Sequence, residues 1–230
     1  MIKEYFMKKL ILFFIITFCG LIGYAQNCKI GIYYNALNQR VNFLEESSQI
    51  FQKNNDFNSF ESGIKVEYLF NETLSLKMNV GISQKSSGKV DSSIPIFSYK
   101  AVPVGLKLKT NLFNFSNFKI YIENGLSLAF CYSYTYNRII GTSTSNITGS
   151  ISDYNFTSNL SYGFVNGIGI SYLIKSKFEI DIFASYYSGI NKVWENDSIL
   201  INEVGGGQNF YTISSNGSCI NIGLGLGYCF

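Results

Sequence analysis

The last eleven residues of the chain alternate strictly between large apolar side chains and small or polar ones. From Ile220 to Phe230 they read I-N-I-G-L-G-L-G-Y-C-F, with a large apolar residue at every even number. A period of two places the large side chains on one face of a β-strand and the small ones on the other. A soluble sheet can show the same alternation. Here the strand ends on an aromatic residue and similar segments precede it, which is typical of barrels that cross a membrane with strands.

Seven upstream segments repeat this alternation, and jointly they predict an all-β fold. We expect an eight-stranded antiparallel, up-and-down transmembrane β-barrel, because strands of about ten residues are long enough to cross a bilayer. The predicted strands are residues 29–37, 60–70, 73–83, 99–112, 118–136, 156–174, 178–187 and 220–230.

The connections between these segments alternate between short and long. Short ones fall at 71–72, 113–117 and 175–177, whereas long ones fall at 38–59, 84–98, 137–155 and 188–217. In outer-membrane barrels the short turns face the periplasm and the long loops face outside. The sequence therefore predicts that the amino-terminus and the carboxy-terminus of the barrel both lie at its periplasmic rim. The long loops are rich in Asn, Ser, Thr and Gly, which favours mobile, solvated loops over folded subdomains.

The amino-terminus has the pattern of a secretory signal peptide. Lys3, Lys8 and Lys9 precede a nearly unbroken apolar run from Leu10 to Phe18, and small residues stand before Gln26. We expect residues 1–25 to be a leader that is cleaved after residue 25 or 26. Residues 26–230 then form the barrel, and we expect it in the outer membrane of a Gram-negative bacterium.

Composition argues against several functions. The formal net charge of +3 lies partly in the leader, so the remaining chain is almost neutral and offers no electrostatic reason to expect nucleic acid. The chain contains no histidine, which excludes Ser-His-Asp hydrolases and histidine-based metal sites. A nucleotide-binding loop would require a helix directly after its glycines, and none follows the glycines of the last strand. We therefore expect no catalytic residues, no metal and no cofactor.

Odd-numbered residues of the second to eighth predicted strands point into the barrel. Nine charged residues among them lie close to periplasmic turns, and small residues line the other half of the lumen. Buried charges must be paired, and an eight-stranded barrel has just enough room for its inward side chains. This pattern predicts a salt-bridged plug; a gated or narrow polar pore and, less readily, a carboxylate-based active site remain as alternatives. The nine residues are Lys65, Glu67, Lys77, Lys107, Lys109, Lys119, Glu123, Glu179 and Asp181.

The periplasmic ends of the first and last strands carry two further candidate features. Cys28 and Cys229 fall where these strands must pair to close the barrel, so a disulfide across the seam is one candidate and free thiols are the other. Strict alternation, however, points Cys229 inward and Cys28 outward. Tyr228 and Phe230 form an aromatic terminus that we expect the barrel assembly machinery to need.

Two asparagines interrupt the lipid-facing positions. Asn124 and Asn166 lie on neighbouring predicted strands, so we expect them close together. They could form a polar pair that shares a hydrogen bond, or a contact for an envelope protein partner in addition to the surrounding outer-membrane lipid.

Several short motifs are spread over nearly the whole mature chain. They are the end of the leader at 24–26, the fourth-strand segment 99–107, and segments 163–169, 186–190 and 227–230. Together these motifs resemble the PorT-like outer-membrane β-barrel family of Bacteroidetes-type bacteria. Ser185 departs from the arginine that the family often has before the tyrosine of the seventh strand. The resemblance implies the barrel fold and its location, and it implies little about activity because the family is functionally mixed.

These features predict a non-enzymatic integral barrel with a structural or interaction role. It would act through its extracellular loops or as an accessory subunit of an envelope assembly. A small-solute or ion pore with a charged lumen is the main alternative, and a surface enzyme whose loops carry the chemistry is the third.

Overall fold

A computed structural model of the chain describes residues 27–39, 42–43, 59–90, 94–136, 155–156, 158–202 and 208–230. The predicted leader lies outside these residues. Within them, no helix has the length and apolar character needed to cross a membrane.

The described residues form β-strands that join in two sheets. Eight strands close into a barrel in the order β1-β12-β9-β8-β6-β5-β4-β3, and the other four form a separate sheet. The predicted eight-stranded antiparallel barrel is confirmed. The strands are β1 (Cys28–Gln39), β2 (Asn42–Phe43), β3 (Ser59–Leu69), β4 (Leu74–Val90), β5 (Ile94–Phe115), β6 (Phe118–Tyr136), β7 (Asn155–Phe156), β8 (Leu160–Ile174), β9 (Phe178–Gly189), β10 (Trp194–Asn202), β11 (Gln208–Ser215) and β12 (Cys219–Cys229).

The first and last barrel strands pair to close the sheet. Ile30 lies opposite Tyr228 and Tyr34 lies opposite Leu224 along an unbroken antiparallel register. Closure leaves no barrel strand with an unpaired edge, which a sheet in hydrocarbon requires because lipid cannot satisfy backbone hydrogen bonds.

The two faces of the barrel differ as the alternation predicts. On β9 the burial changes at every residue from Phe178 to Ser185, with odd-numbered residues buried and even-numbered ones exposed. Ile32 and Leu224 keep 60% and 57% of their surface exposed. An aliphatic belt this exposed would be unstable in water, whereas lipid accommodates it.

Tight turns connect the strands at the predicted periplasmic end. Ser116, Lys175 and Ser176 have positive φ angles of 52°, 49° and 59°, the left-handed conformation that narrow turns need. At the turn before β4, the Asn71 side-chain oxygen accepts hydrogen bonds from the backbone N–H groups of Thr73 and Leu74, at 2.9 and 2.8 Å.

Aromatic side chains gather at the same end. Phe118 packs on Tyr172 with ring centroids 4.6 Å apart, and Tyr228 contacts both Phe178 and Phe230 at 5.3 and 5.1 Å. Such rings suit the boundary between hydrocarbon and headgroups. The predicted assembly residues Tyr228 and Phe230 therefore belong to an aromatic girdle.

One predicted long loop is wrong. Residues 84–98 were expected to form a loop, but β4 runs on to Val90 and β5 begins at Ile94, with Gln84 opposite Lys100. The prediction failed because it relied on apolar alternation. A strand that continues beyond the membrane has no lipid face and therefore needs no such pattern.

The outer connections are also more structured than their composition suggests. The segment after β9, expected to be a solvated loop, forms the hairpin β10–β11. This hairpin pairs with β7 on one side and with β2 on the other, which gives a sheet ordered β2-β11-β10-β7. Three of the outer connections are thus joined in one sheet.

Candidate functional site: the charged lumen

Small residues on two strands give the lumen room for long side chains. At Gly225 an added Cβ would overlap the Lys65 ammonium, and at Gly169 it would overlap the ring of Tyr121. In the inner half of the lumen, the small residues on β8 and β12 therefore leave room for the side chains of the other six strands. This explains why the last strand alternates large residues with glycine.

Lys109 lies at the centre of the inner half of the lumen and is only 1% exposed. Its Nζ is 3.3 Å from Glu67 Oε2, 3.3 Å from Glu179 Oε1 and 3.8 Å from Asp181 Oδ1. It also lies 4.1 Å from the centre of the Tyr121 ring, a favourable cation–π geometry. One ammonium group thus joins carboxylates from β3 and β9.

Further contacts extend this cluster to the barrel seam. Lys29 of β1 donates to Glu179 Oε2 at 2.5 Å and approaches Glu67 Oε1 at 3.5 Å. Lys65 pairs with Asp181. Ser75 donates a hydrogen bond to Glu67 at 2.7 Å, which leaves this carboxylate well satisfied.

A second cluster forms around Glu123, whose side chain is completely buried. Lys77 donates to Glu123 Oε2 at 2.9 Å and Lys107 donates to Oε1 at 2.6 Å. Lys77 also lies 5.0 Å from the centre of the Phe183 ring. Two lysines therefore share one carboxylate.

The two clusters bring together eight of the nine charges selected from the sequence. Lys119 is the exception: its side chain is partly exposed, and it joins neither cluster. It follows the Ser116–Asn117 turn almost directly, so it lies at the open rim where water can solvate it. Lys29 joins the network although it was not selected. Applying the odd-number rule to the first strand as well would have found it.

The arrangement favours a closed lumen over a chemical site. Side chains from six strands meet across the interior, and each of the nine network residues is at most 9% exposed. Buried ions held by several opposite charges are fixed in place. No group of residues suited to a metal ion occurs in the described part of the chain.

Above the network, the outer half of the lumen contains a small cavity of about 30 Å³. Three lysines line it, together with one carboxylate and several amides and hydroxyls. Its polar lining includes Tyr33, Asn35, Glu61, Lys77, Asn79, Lys85, Lys107, Tyr187 and Asn221.

The structure has free thiols in place of the candidate seam disulfide. Cys28 and Cys229 are both free thiols, as are Cys131 and Cys219. In the register of β1 and β12, Cys229 lies opposite Lys29 and not opposite Cys28. Neighbouring residues on a strand point to opposite faces, so the Cys28 side chain is directed away from this pair.

The two lipid-facing asparagines do lie side by side. Asn124 of β6 is directly opposite Asn166 of β8, and both side chains are exposed. On the far side of Asn166 lies Tyr186 of β9. Two amides thus interrupt the aliphatic belt about midway along their strands.

Comparisons with solved structures find small outer-membrane barrels, while no protein-family model and no curated protein matches the chain. Outer membrane protein OprG from Pseudomonas aeruginosa aligns with a TM-score of 0.54 and 13% identity, over 90% of this chain and 96% of that chain. Outer membrane protein W from E. coli aligns with a TM-score of 0.47 and 14% identity, over 90% and 98%. Identities this low establish the fold alone. The chain has the fold of a small, integral outer-membrane β-barrel of eight strands.

Proposed function

We propose that this protein is a closed, non-enzymatic outer-membrane barrel that anchors a structured extracellular surface. The observation that carries the proposal is the network of nine buried, paired charges across the inner lumen. A barrel filled in this way is rigid and resists solute passage. Its biological role then falls to the surface that it presents outside.

The network argues against the alternative of a small-solute or ion pore. To open a path, the protein would have to separate ion pairs such as Lys107–Glu123, in which both residues are buried. Leaving one member of such a pair without its partner typically costs about 3–5 kcal/mol. The closed state is therefore favoured unless another group replaces the lost partner.

The outer sheet supports an interaction role. Strands from three outer connections pair in it, so the chain there offers a defined surface on which a partner can dock. A structured surface loses less conformational entropy on binding than mobile loops do. An accessory subunit of an envelope assembly would use such a surface.

Conductance across planar lipid bilayers tests whether the lumen is closed. The purified, unmodified protein should give no steady current. Lys107→Met, which changes the network, should also stay closed or show only brief openings, and Lys119→Met serves as the matched control because Lys119 lies outside the network. Reproducible open-channel currents from the unmodified protein, with ion selectivity altered by Lys107→Met, would instead establish the pore.

Cross-linking in intact outer membranes tests the interaction role. A photoreactive residue in the β10–β11 hairpin should capture a discrete partner, whereas one at the lipid-facing position of Leu126 should not capture the same protein. A second variant replaces residues 196–213 by a short turn. If neither photoreactive position captures a protein and this variant leaves the envelope unaltered, the hairpin is not a docking surface.

A further inference from the structure

Lys85 of β4 is a buried cation outside the ion-pair network. It lines the cavity in the outer lumen and keeps only 5% of its surface exposed. Its Nζ lies 5.0 Å from the centre of the Tyr187 ring. The ion pairs of the described residues connect the network lysines to carboxylates but do not include Lys85.

The charges around the cavity do not balance. Among the residues that the structure describes, Lys77, Lys85 and Lys107 line it, and Glu61 is the only carboxylate in its lining. Glu61 accepts a hydrogen bond from the Tyr33 hydroxyl at 2.9 Å. Adding Glu123, which Lys77 and Lys107 share, still leaves three ammonium groups against two carboxylates.

Polar atoms of the lining are also left without partners. The Oδ1 atoms of Asn35 and Asn79 are buried and accept no hydrogen bond. Buried polar groups are normally satisfied by protein or by a bound group. A half-turn of the Asn35 amide exchanges its oxygen for an N–H donor, so this side chain can present a donor to what the cavity holds. Asn79 keeps its orientation, because its Nδ2 donates to the Tyr33 hydroxyl at 3.3 Å.

The size of the cavity limits its occupant. Its volume of about 30 Å³ exceeds the roughly 10–15 Å³ that a cavity needs to hold one water molecule. A single-atom anion fits this space, whereas a bulky organic acid such as gluconate does not. A buried cation attracts an anion more strongly than an exposed one does, because the lower local dielectric strengthens their interaction.

We infer that this cavity is a binding site for a small monovalent inorganic anion of halide size, held by Lys85 and the Asn35 amide. The bound anion balances the extra ammonium charge in the lumen and thereby stabilises the barrel. The inference does not depend on the role of the extracellular sheet.

Bromide is the probe for this site. Crystals of the full protein grown with sodium bromide should show an anomalous peak in the cavity, in contact with the Lys85 ammonium. In detergent, the unfolding temperature should rise as bromide replaces gluconate at constant ionic strength, because gluconate is too large for the cavity. A ligand that binds only the folded state stabilises it in this way.

Variants separate a specific site from general salt effects. Lys85→Met should abolish both the anomalous peak and the additional stabilisation by bromide, while Lys85→Arg should retain part of them. Lys100→Met, at an exposed position of β5, should behave like the unmodified protein. If the unmodified protein shows no bromide peak, or if bromide stabilises Lys85→Met equally, the inference is wrong.

Discussion

Individual residues in the lumen differ in how many partners they hold, and this determines what their loss would cost. Glu123 binds two lysines, whereas among the described residues each of those lysines pairs with no carboxylate other than Glu123. The effect of removing a charge therefore depends on which side of the pair is removed.

Glu123→Gln should be one of the most damaging single changes in the barrel. It leaves Lys77 and Lys107 buried without a carboxylate, and we expect the free energy of unfolding to fall by about 3–5 kcal/mol. Lys107→Met should cost less, because Glu123 keeps Lys77. Urea unfolding in detergent micelles measures both, with Lys119→Met as the control. Equal stability of all variants would indicate a hydrated lumen that tolerates unpaired charges.

Gly169→Ala should also destabilise the barrel, for a steric reason. The added methyl group overlaps the buried Tyr121 ring, which in turn supports Lys109. Overpacking of this kind typically costs about 1–3 kcal/mol. Gly227→Ala is the matched control, since its nearest neighbouring atom, the backbone oxygen of Ile30, would be 3.7 Å from the new Cβ. The same unfolding assay should show Gly227→Ala close to the unmodified protein; a similar loss in both variants would contradict the steric explanation.

The sequence allowed the facing of these residues to be predicted but not their partners. Alternation shows that Lys109 and Asp181 both point inward, because it depends only on the strand's period of two. Which charges meet depends on how far neighbouring strands are staggered around the barrel, and that stagger is a property of the closed sheet. For this reason alternation alone does not separate Lys119, which lies at the rim, from the lysines of the network. Lys29 is a different case, because the same alternation on the first strand already points it inward.

At the scale of the strand, β12 carries the clearest division between a lipid face and a lumen face. Leu224 and Leu226 are 57% and 54% exposed, while glycines face inward. The backbone N–H of Phe230 donates to the Cys28 carbonyl at 3.1 Å, which extends the closure of the barrel to its rim. Changes on the lipid face of this strand should therefore affect insertion and not lumen packing.

Leu224→Arg should impair insertion into the outer membrane. A charged side chain at the middle of the lipid face costs about 2–4 kcal/mol in a barrel. Leu224→Phe, which keeps the position apolar, is the control. The fraction of protein that resists protease in isolated outer membranes measures the effect. Normal insertion of Leu224→Arg would mean that this face does not contact lipid.

The strands were predictable within the membrane and less so beyond it. The predicted β6 has the observed bounds, and β9 differs by only two residues at one end. In contrast, the outer extension of β4 is the segment Gln84–Val90, which lacks apolar alternation. The β10–β11 hairpin was missed for the same reason, since a sheet outside the bilayer is solvated and needs no lipid-facing side.

Within the described residues, the barrel combines an inner half filled by paired, buried charges with a polar outer half. The inner half is stabilised by ion pairs among many strands, and the outer half contains the cavity lined by Lys85. All barrel strands form a single closed sheet, so unfolding should be cooperative and slow to begin.

The folded barrel should therefore survive mild detergent and separate from its unfolded form on a gel. Unheated samples should migrate differently from boiled ones, and the protein should fractionate with the outer membrane. Circular dichroism of the unheated form should be rich in β-structure. Recovery as a soluble periplasmic protein without a heat-dependent gel shift would contradict a membrane-spanning barrel.

The hairpin of β4 and β5 is the one outer connection that contributes no strand to the second sheet as described. Extra residues inserted between Val90 and Ile94 would thus interrupt no described pairing of that sheet. They would also emerge at the end of two long, mutually paired strands. An epitope placed there would be displayed at the cell surface on a stiff support, which makes this hairpin the natural point for labelling or tethering the protein in living cells.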